Sequence, residues 1–571
     1  MRSPTVLAAA ALTVGLAAGC AAIPESSPVE VVGPGVVDSI EAPVPGPRDG
    51  LDPLDVVRGF VEAAGSQANG HAAARAYLTD AARTAWNDGA PVVVIDELFD
   101  TVYATSAGDS SGDTYREVLL RAQQIGQLGE DFAFAANRGT ITPLVRLIKE
   151  DGQWRISQPP NGLHIRARDF HSSYRSIGVK FVDPSRETLV TDRRWVPTRP
   201  SASLPGRAID LLLGGPSAAV ADAVANLLDG AITHTNVVIG ENDVLVVDLA
   251  RVPELSDGQR RLAAAQIVGS LSEAVAHVQR IRIFADGAPL VPSKDEWTPP
   301  DAGPFTPQED VRPELPALAV TGGRIARVGG EGVGVGGPAG DGSLAVESAA
   351  QSADGALLAL VSRLSGVPRL YVGPVGSPQP VAVDAASMTR PTWRLGAAEA
   401  WTVLNGKDGA GVLWTESGEL RTFGVDLSEL SVKGRITELR LSRDGVRVAA
   451  VVDGALFVAI VVGSGAETKV RNPRLLVGPG APQIADVDWK GEQLVVATLG
   501  KDPAVYAVTG DGLGWTAYKN TNLTGPLTGI AAAVGRNVLV ADQGGLWSAG
   551  DTNALWNSEG YGGGVDPFYP G

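Results

Sequence analysis

Three short patterns carry residue types that catalytic sites use. Gly108-Asp109-Ser110-Ser111-Gly112 fits G-x-S-x-G, in which a serine is raised as a nucleophile on a sharp strand-to-helix turn. Here the surroundings are polar, with no buried strand before and no helix after, so the pattern predicts a surface loop. Gly332-Val333-Gly334-Val335-Gly336-Gly337 formally fits the phosphate-cradling G-x-G-x-x-G. It runs into Pro338-Ala339-Gly340-Asp341-Gly342, which gives no helix N-terminus to hold a pyrophosphate, so a flexible loop is expected. Asp486 and Asp488 lie two apart, on one face of a strand, where they could form an acid or metal pair. Entering a turn, they are expected to be ordinary solvated carboxylates. The five histidines are scattered without an H-E-x-x-H, and the chain has one cysteine, which excludes intrachain disulfides, zinc ribbons and iron–sulfur cages. No catalytic, metal or cofactor residue is assigned, no cofactor is expected, and the chain is read as not an enzyme.

The elements that must carry any function are many and short. Hydrophobic residues make up 44% and charged residues 19%, enough to bury several cores over 571 residues, while 70 Gly and 39 Pro imply frequent turns between short strands. A net charge of −17 repels phosphate backbones and argues against nucleic acid as a partner. Against that background, Arg166 to Arg207 holds nine basic residues and four acids. Two readings stay open: solubility and domain-junction ion pairs, or a contact surface for an anionic partner, with Arg186, Arg193, Arg194 and Arg199 as its candidate residues.

The apolar run Val6 to Ala18 would span about 20 Å as a helix, short of a bilayer core of about 30 Å, and is signal-peptide length. Leu16-Ala17-Ala18-Gly19-Cys20 resembles the bacterial lipobox, with Ala17 where a larger aliphatic residue is usual. The resemblance implies cleavage after residue 19, with Cys20 carrying an S-diacylglycerol and an N-palmitoyl chain, and so a stable membrane anchor. A Pro-rich tether fills 20–50. Asp52-Pro53 then reads as a helix start, with Leu54, Val57, Phe60 and Val61 on one face. A second helical stretch, Ala72 to Trp86, precedes strands at Val92–Ile95, Val118–Leu120 and Thr140–Lys149. Asp151-Gly152 predicts a hairpin into Trp154-Arg155-Ile156. The expectation over 51–165 is an α+β domain similar to the NTF2-like cone.

Over 166–300 a strand pair (Val179–Val182, Thr188–Val190) leads to a leucine-rich helix ending Gly214-Gly215-Pro216-Ser217. Strand Val244–Leu249, a helix striped by Leu262, Ala265, Val268 and Leu271, and Phe284 before Asp286-Gly287-Ala288-Pro289 follow. That order resembles the GerMN domain and implies a small α/β binding module of envelope proteins.

From 313 to 571 the sequence repeats at about 45 residues. A turn glycine recurs at Gly355, Gly396, Gly445, Gly491 and Gly535, and an apolar–aromatic–small triplet recurs around Tyr371, Trp414, Phe457, Tyr506 and Trp547. This is the period of a four-stranded propeller blade. Five blades are visible, and a sixth can combine Leu318–Val328 with the chain end to close the ring. The aromatics are expected to pack between blades.

The fold class is therefore multidomain: lipoprotein signal and tether, NTF2-like α+β domain, α/β GerMN-like domain and an all-β propeller of about six blades. This architecture resembles the actinobacterial LpqB lipoprotein family over essentially the full chain. The resemblance implies a lipid-anchored protein on the extracytoplasmic face of the cell membrane. It further implies an accessory to the MtrA–MtrB two-component system, which contacts the extracytoplasmic domain of the MtrB-like sensor histidine kinase in envelope homeostasis and division. A cell-wall polymer is a further partner to consider. A propeller hydrolase or wall-binding protein, and an assembly scaffold, are the alternatives.

Overall fold

The computed structural model describes residues 46–89, 91–104, 114–235, 237–239, 244–307, 311–329, 332–478, 480–499, 502–560, 562 and 565–571. Cys20, the signal and most of the tether, and the G-x-S-x-G pattern at 108–112 lie outside the described residues.

The first domain starts as its capping residues require. Asp52 accepts a hydrogen bond from the Asp55 amide at 2.9 Å, Pro53 takes the first helical position, and α1 (Pro53–Ala63) buries Val56, Val57, Phe60 and Val61. Val56, not Leu54, completes the buried stripe. The expected second helix is two short ones, α2 (Ala72–Arg75) and α3 (Asp80–Ala85). They break because Leu78 leaves helical geometry to bridge Ile156, and the Thr79 hydroxyl then caps α3. The sheet that follows comprises β1 (Val92–Tyr103), β2 (Tyr115–Leu128), β3 (Phe134–Ile141), β4 (Leu144–Glu150), β5 (Gln153–Gln158) and β6 (Leu163–Arg166). It is ordered β5-β4-β2-β1-β6, with β3 also on β2. Asp151 and Gly152 both take positive φ (49° and 79°), the two-residue hairpin turn that Asp-Gly encodes. Helix α4 (Ala167–Ser173) closes this domain, since Phe170 and Tyr174 lie in its core. Its packing therefore runs past residue 165.

The second domain opens with a two-stranded hairpin, β7 (Tyr174–Asp183) and β8 (Thr188–Pro197). Helix α5 (Leu204–Leu213), β9 (Ile232–Thr233), β10 (Val238–Ile239), β11 (Val244–Ala250), α6 (Asp257–Ala274) and β12 (Arg280–Ala285) follow. β11 and β12 are parallel, a pairing that needs a crossover, and α6 supplies it. Ser256 and Gln259 form a reciprocal capping box at its start. Ile177, Val179 and Phe181 of β7 share one core with Leu262, Val268 and Leu271 of α6.

The rest is a six-bladed propeller. Five antiparallel four-stranded sheets follow in chain order. In the remaining one, Leu318–Thr321 pairs on one side with Arg324–Arg327 and on the other with the chain end, Val565–Phe568. The C-terminal strand is innermost and closes the ring, removing the open edge. Blades are stapled at their inner strands by tryptophan. Trp393 Nε1 donates to Ala350 O, and Trp489 Nε1 to Arg440 O, each on the first strand of the preceding blade. The third-strand aromatics lie further out: Trp414 and Tyr506 are half-buried, Trp414 against Gly373 of the preceding blade and Tyr506 edge-on to Trp515. The loop at 332–342 has no helix and is packed rather than loose. Gly334 bridges Ala326, and Cβ atoms at Gly334, Gly337 and Gly340 would meet the backbone at Gly340, Gly376 and Val335.

Candidate functional site

The antiparallel blades put the turns between first and second strands on one propeller face, and the β7–β8 hairpin lies over that face. At the hairpin tip, Asp183 accepts from the Ser185 amide (2.8 Å) and from Arg186 Nε (2.7 Å), which fixes the Arg186 guanidinium. Its remaining nitrogens donate to Leu395 O at 3.1 Å and Asp444 O at 2.7 Å, in the turns of two successive blades. Gly445 has φ +72°, and any Cβ there would strike this guanidinium, so glycine serves both the turn and the docking.

Further along the hairpin, Arg193 Nε donates to Glu492 Oε2 at 2.6 Å and Arg193 Nη1 to Glu273 Oε2 of α6 at 3.3 Å. Lys180 reaches Glu273 at 3.2 Å. Burial pushes the Glu492 carboxyl up, but the Arg193 and Lys180 charges outweigh it and hold the group below the usual carboxylate range. Arg447 of the fourth blade donates to Thr191 O and pairs with Asp444. The neighbouring Arg194 points the other way and is fully buried. It grips Asp192 at 2.6 Å and donates to Asp131 O of the first domain (2.6 Å) and to Gly215 O (3.0 Å). Asp192 also accepts from the Ser217 amide and hydroxyl. Trp195 joins all three domains: its amide donates to Phe132 O at 2.8 Å, and Nε1 to Asp511 Oδ2 of the fifth blade at 2.8 Å.

The basic run is thus inward-facing at its centre. Arg186, Arg193 and Arg194 form domain-junction ion pairs and carbonyl contacts, the first of the two readings, rather than an exposed contact surface at these three. The reason is alternation: a hairpin wedged between domains gives each successive arginine a different wall of acids and carbonyls. Arg199 lies beyond the hairpin, half-buried. Sequence reasoning missed the receiving groups, Glu492 and Asp511. Both stand within two residues of a turn glycine, and acids recurring at that place were the available signal.

A second polar cluster fills the centre of the ring. Arg390 Nη1 lies 3.3 Å from Asp566 and 3.8 Å from Asp486, and Nη2 3.8 Å from Asp488. Arg440 Nη2 lies 2.8 Å from Glu438 and 3.2 Å from Asp486. Asp486 Oδ2 and Asp488 Oδ2 also accept the amides of Ile530 and Ala532, on the next blade, at 3.0 and 2.9 Å. The two aspartates share a face as alternation requires, but that face is the ring centre. Asp486 is 4% exposed, so the solvated reading is corrected: both are inter-blade ties. Burial, reinforced by Asp486, pushes the Glu438 carboxyl up to about 7 despite Arg440. Burial likewise raises Asp566. Four carboxylates around two guanidiniums cannot all ionise cheaply, which is why two of them are raised. Among the described residues, no group of three or more metal-ligating side chains is assembled.

Fold and junction together define a multidomain propeller protein in which a GerMN-type domain clamps one propeller face. Comparisons agree domain by domain. Residues 46–171 match the family model of the lipoprotein LpqB N-terminal domain, 179–291 the model described as sporulation and spore germination (Germane), and 323–570 the lipoprotein LpqB β-propeller domain. "Lipoprotein LpqB" of Nocardia farcinica is 32% identical, covering 97% of this chain and 96% of that relative. The Rhodococcus opacus protein of the same name is 32% identical over 93% and 92%, and that of Mycolicibacterium smegmatis 30% over 95% of each. The chain belongs to the LpqB lipoprotein family. Among solved structures, the nidogen/laminin complex is similar over 44% of this chain and 97% of that chain (9% identity, TM-score 0.33). The Cps50 (Swd1) β-propeller domain of Myceliophteria thermophila is similar over 39% and 77% (14% identity, TM-score 0.29).

Proposed function

We infer that the protein is an accessory lipoprotein, held at the extracytoplasmic face of the cell membrane by acyl chains on Cys20, that docks on the extracytoplasmic domain of an MtrB-like sensor histidine kinase. There it modulates two-component signalling in envelope homeostasis and division, without catalysis of its own. The observation that carries this reading is the match, over 97% of the chain, to relatives named as lipoproteins. Two features support it. Among the described residues no helix is long and apolar enough to cross a membrane, which is consistent with attachment through lipid. The hairpin occupies one propeller face, while Leu364, Val367, Val432 and Leu499 are exposed in turns and connections at the opposite ends of the blades, a set of positions available to a protein partner.

The test is direct binding. The full lipidated chain in detergent, titrated with the purified extracytoplasmic domain of the sensor kinase from the same cell, is expected to bind saturably at one-to-one stoichiometry. Absence of binding with both proteins folded would exclude this partner.

A further inference from the structure

Where the three domains meet, the hairpin, the fourth and fifth blades and the strand entering β3 leave a cavity of about 280 Å³. Its wall carries four carboxylates and three guanidiniums, and nearly every charge is already answered. Asp192 is held by Arg194 and Ser217, Glu492 by Arg193, and Asp444 by Arg447. Asp511 accepts from Trp195 Nε1, the Thr509 hydroxyl and the Leu513 amide. Arg193 and Arg447 are occupied by those same pairs. Arg474, on the outer strand of the fourth blade, is the exception: among the described residues its side chain makes no ion pair and no hydrogen bond, although it lines the cavity. Burial and the nearby Arg447 charge push its guanidinium below the ordinary arginine value, outweighing the attraction of Asp511 and Asp192 across the cavity. The remaining wall offers apolar surface from Trp195, Trp489, Phe134 and Val220, interspersed with hydroxyl side chains such as Ser176 and Ser442 and the Gln493 amide.

We propose that this junction cavity is a binding site for a small monocarboxylate with an apolar body, its carboxylate received by the free guanidinium fork of Arg474 and its body by the two tryptophans. The fork presents parallel donors that match a carboxylate. A dianion such as phosphate is disfavoured because the four wall carboxylates surround the position it would occupy. The volume falls at the lower end of small-molecule sites and fits something the size of an acylated amino acid. Because all three domains supply wall residues, occupancy would also bind them more firmly to one another, as any ligand of the native state does.

The experiment uses the full chain in detergent with three probes: N-acetylalanine, N-acetylalaninamide and inorganic phosphate. Saturable binding and a raised melting temperature are expected with N-acetylalanine, at least tenfold weaker binding with the amide, which keeps the body but loses the charge, and the weakest effect with phosphate. Arg474→Gln should abolish the difference between acid and amide, while Arg474→Lys keeps the charge, loses the fork and binds at an intermediate level. The melting temperature of each variant without probe reports its fold separately. Equal binding of acid and amide, wild-type binding by Arg474→Gln, or no saturable binding of N-acetylalanine would each overturn the assignment.

Discussion

Arg193 of the β7–β8 hairpin and Glu492 of the fifth blade are 299 residues apart in the chain, and Nε lies 2.6 Å from Oε2. Next to that pair, Arg194 turns the other way, to Asp192 and Gly215 of its own domain and to Asp131 O of the first. The two arginines of one dipeptide therefore hold different interfaces and should fail differently.

Arg194→Met strands the buried Asp192 without its cation, which costs about 3–5 kcal/mol in systems of this kind. Arg193→Met leaves Glu492 partly solvated and should cost about 1 kcal/mol or less. Chemical denaturation followed by tryptophan fluorescence separates the two, and equal losses would show that the hairpin is not oriented as described. A charge swap, Arg193→Glu with Glu492→Arg, should recover more stability than either single reversal, though Glu273 beside position 193 would keep the recovery partial.

Inner tryptophans and outer aromatics should also differ. Trp489 is 2% exposed and donates to the preceding blade, so Trp489→Ala should cost about 3–5 kcal/mol and Trp489→Phe about 1 kcal/mol for the lost hydrogen bond. Trp414 is half-buried, and Trp414→Ala should cost about 1 kcal/mol. Thermal melts of the three variants rank them.

The ring centre predicts a pH dependence. Glu438 titrates at about 7 in the folded protein against an ordinary 4.5, because burial and Asp486 outweigh Arg440 and Arg390; Asp566 is raised too. A raised carboxyl binds its proton more tightly in the native state, so its contribution is fully present below 4.5 and lost as pH rises through about 7. Glu438→Gln should flatten that part of the profile in melting experiments between pH 4.5 and 8. An unchanged slope would place the titrating group elsewhere.

For the anchor, Cys20→Ala is expected to leave an uncleaved or mislocalised precursor whose domains remain folded, as read by membrane fractionation and protease resistance of the released chain. Normal acylation and membrane retention in the variant would remove the anchor from the account.

The repeats were legible because blade geometry is local: a glycine turn and an apolar triplet recur each time the chain makes one four-stranded unit. Closure of the ring by the chain end followed from the need to remove an open edge, and the structure places it at Val565–Phe568. The GerMN-like elements were legible for the same reason, as strand and helix periods between turn signals. What stayed hidden depends on partners far along the chain. Nothing around Asp486 or Asp488 shows that their face meets Arg390 and Arg440 in a water-poor centre. Nothing around Arg193 names Glu492. The split of Ala72–Trp86 into two helices has the same origin, since Leu78 answers to Ile156 rather than to its neighbours.

The most direct functional test is site-specific photo-crosslinking in intact cells, with a benzophenone side chain placed at Val432 or Leu364 on the open propeller face and, for contrast, at Thr191 of the hairpin, against the covered face. A crosslink from Val432 or Leu364 to the extracytoplasmic domain of the sensor kinase is expected, and only intrachain products from Thr191. Crosslinks from the open face that repeatedly identify other proteins and never the kinase would contradict it.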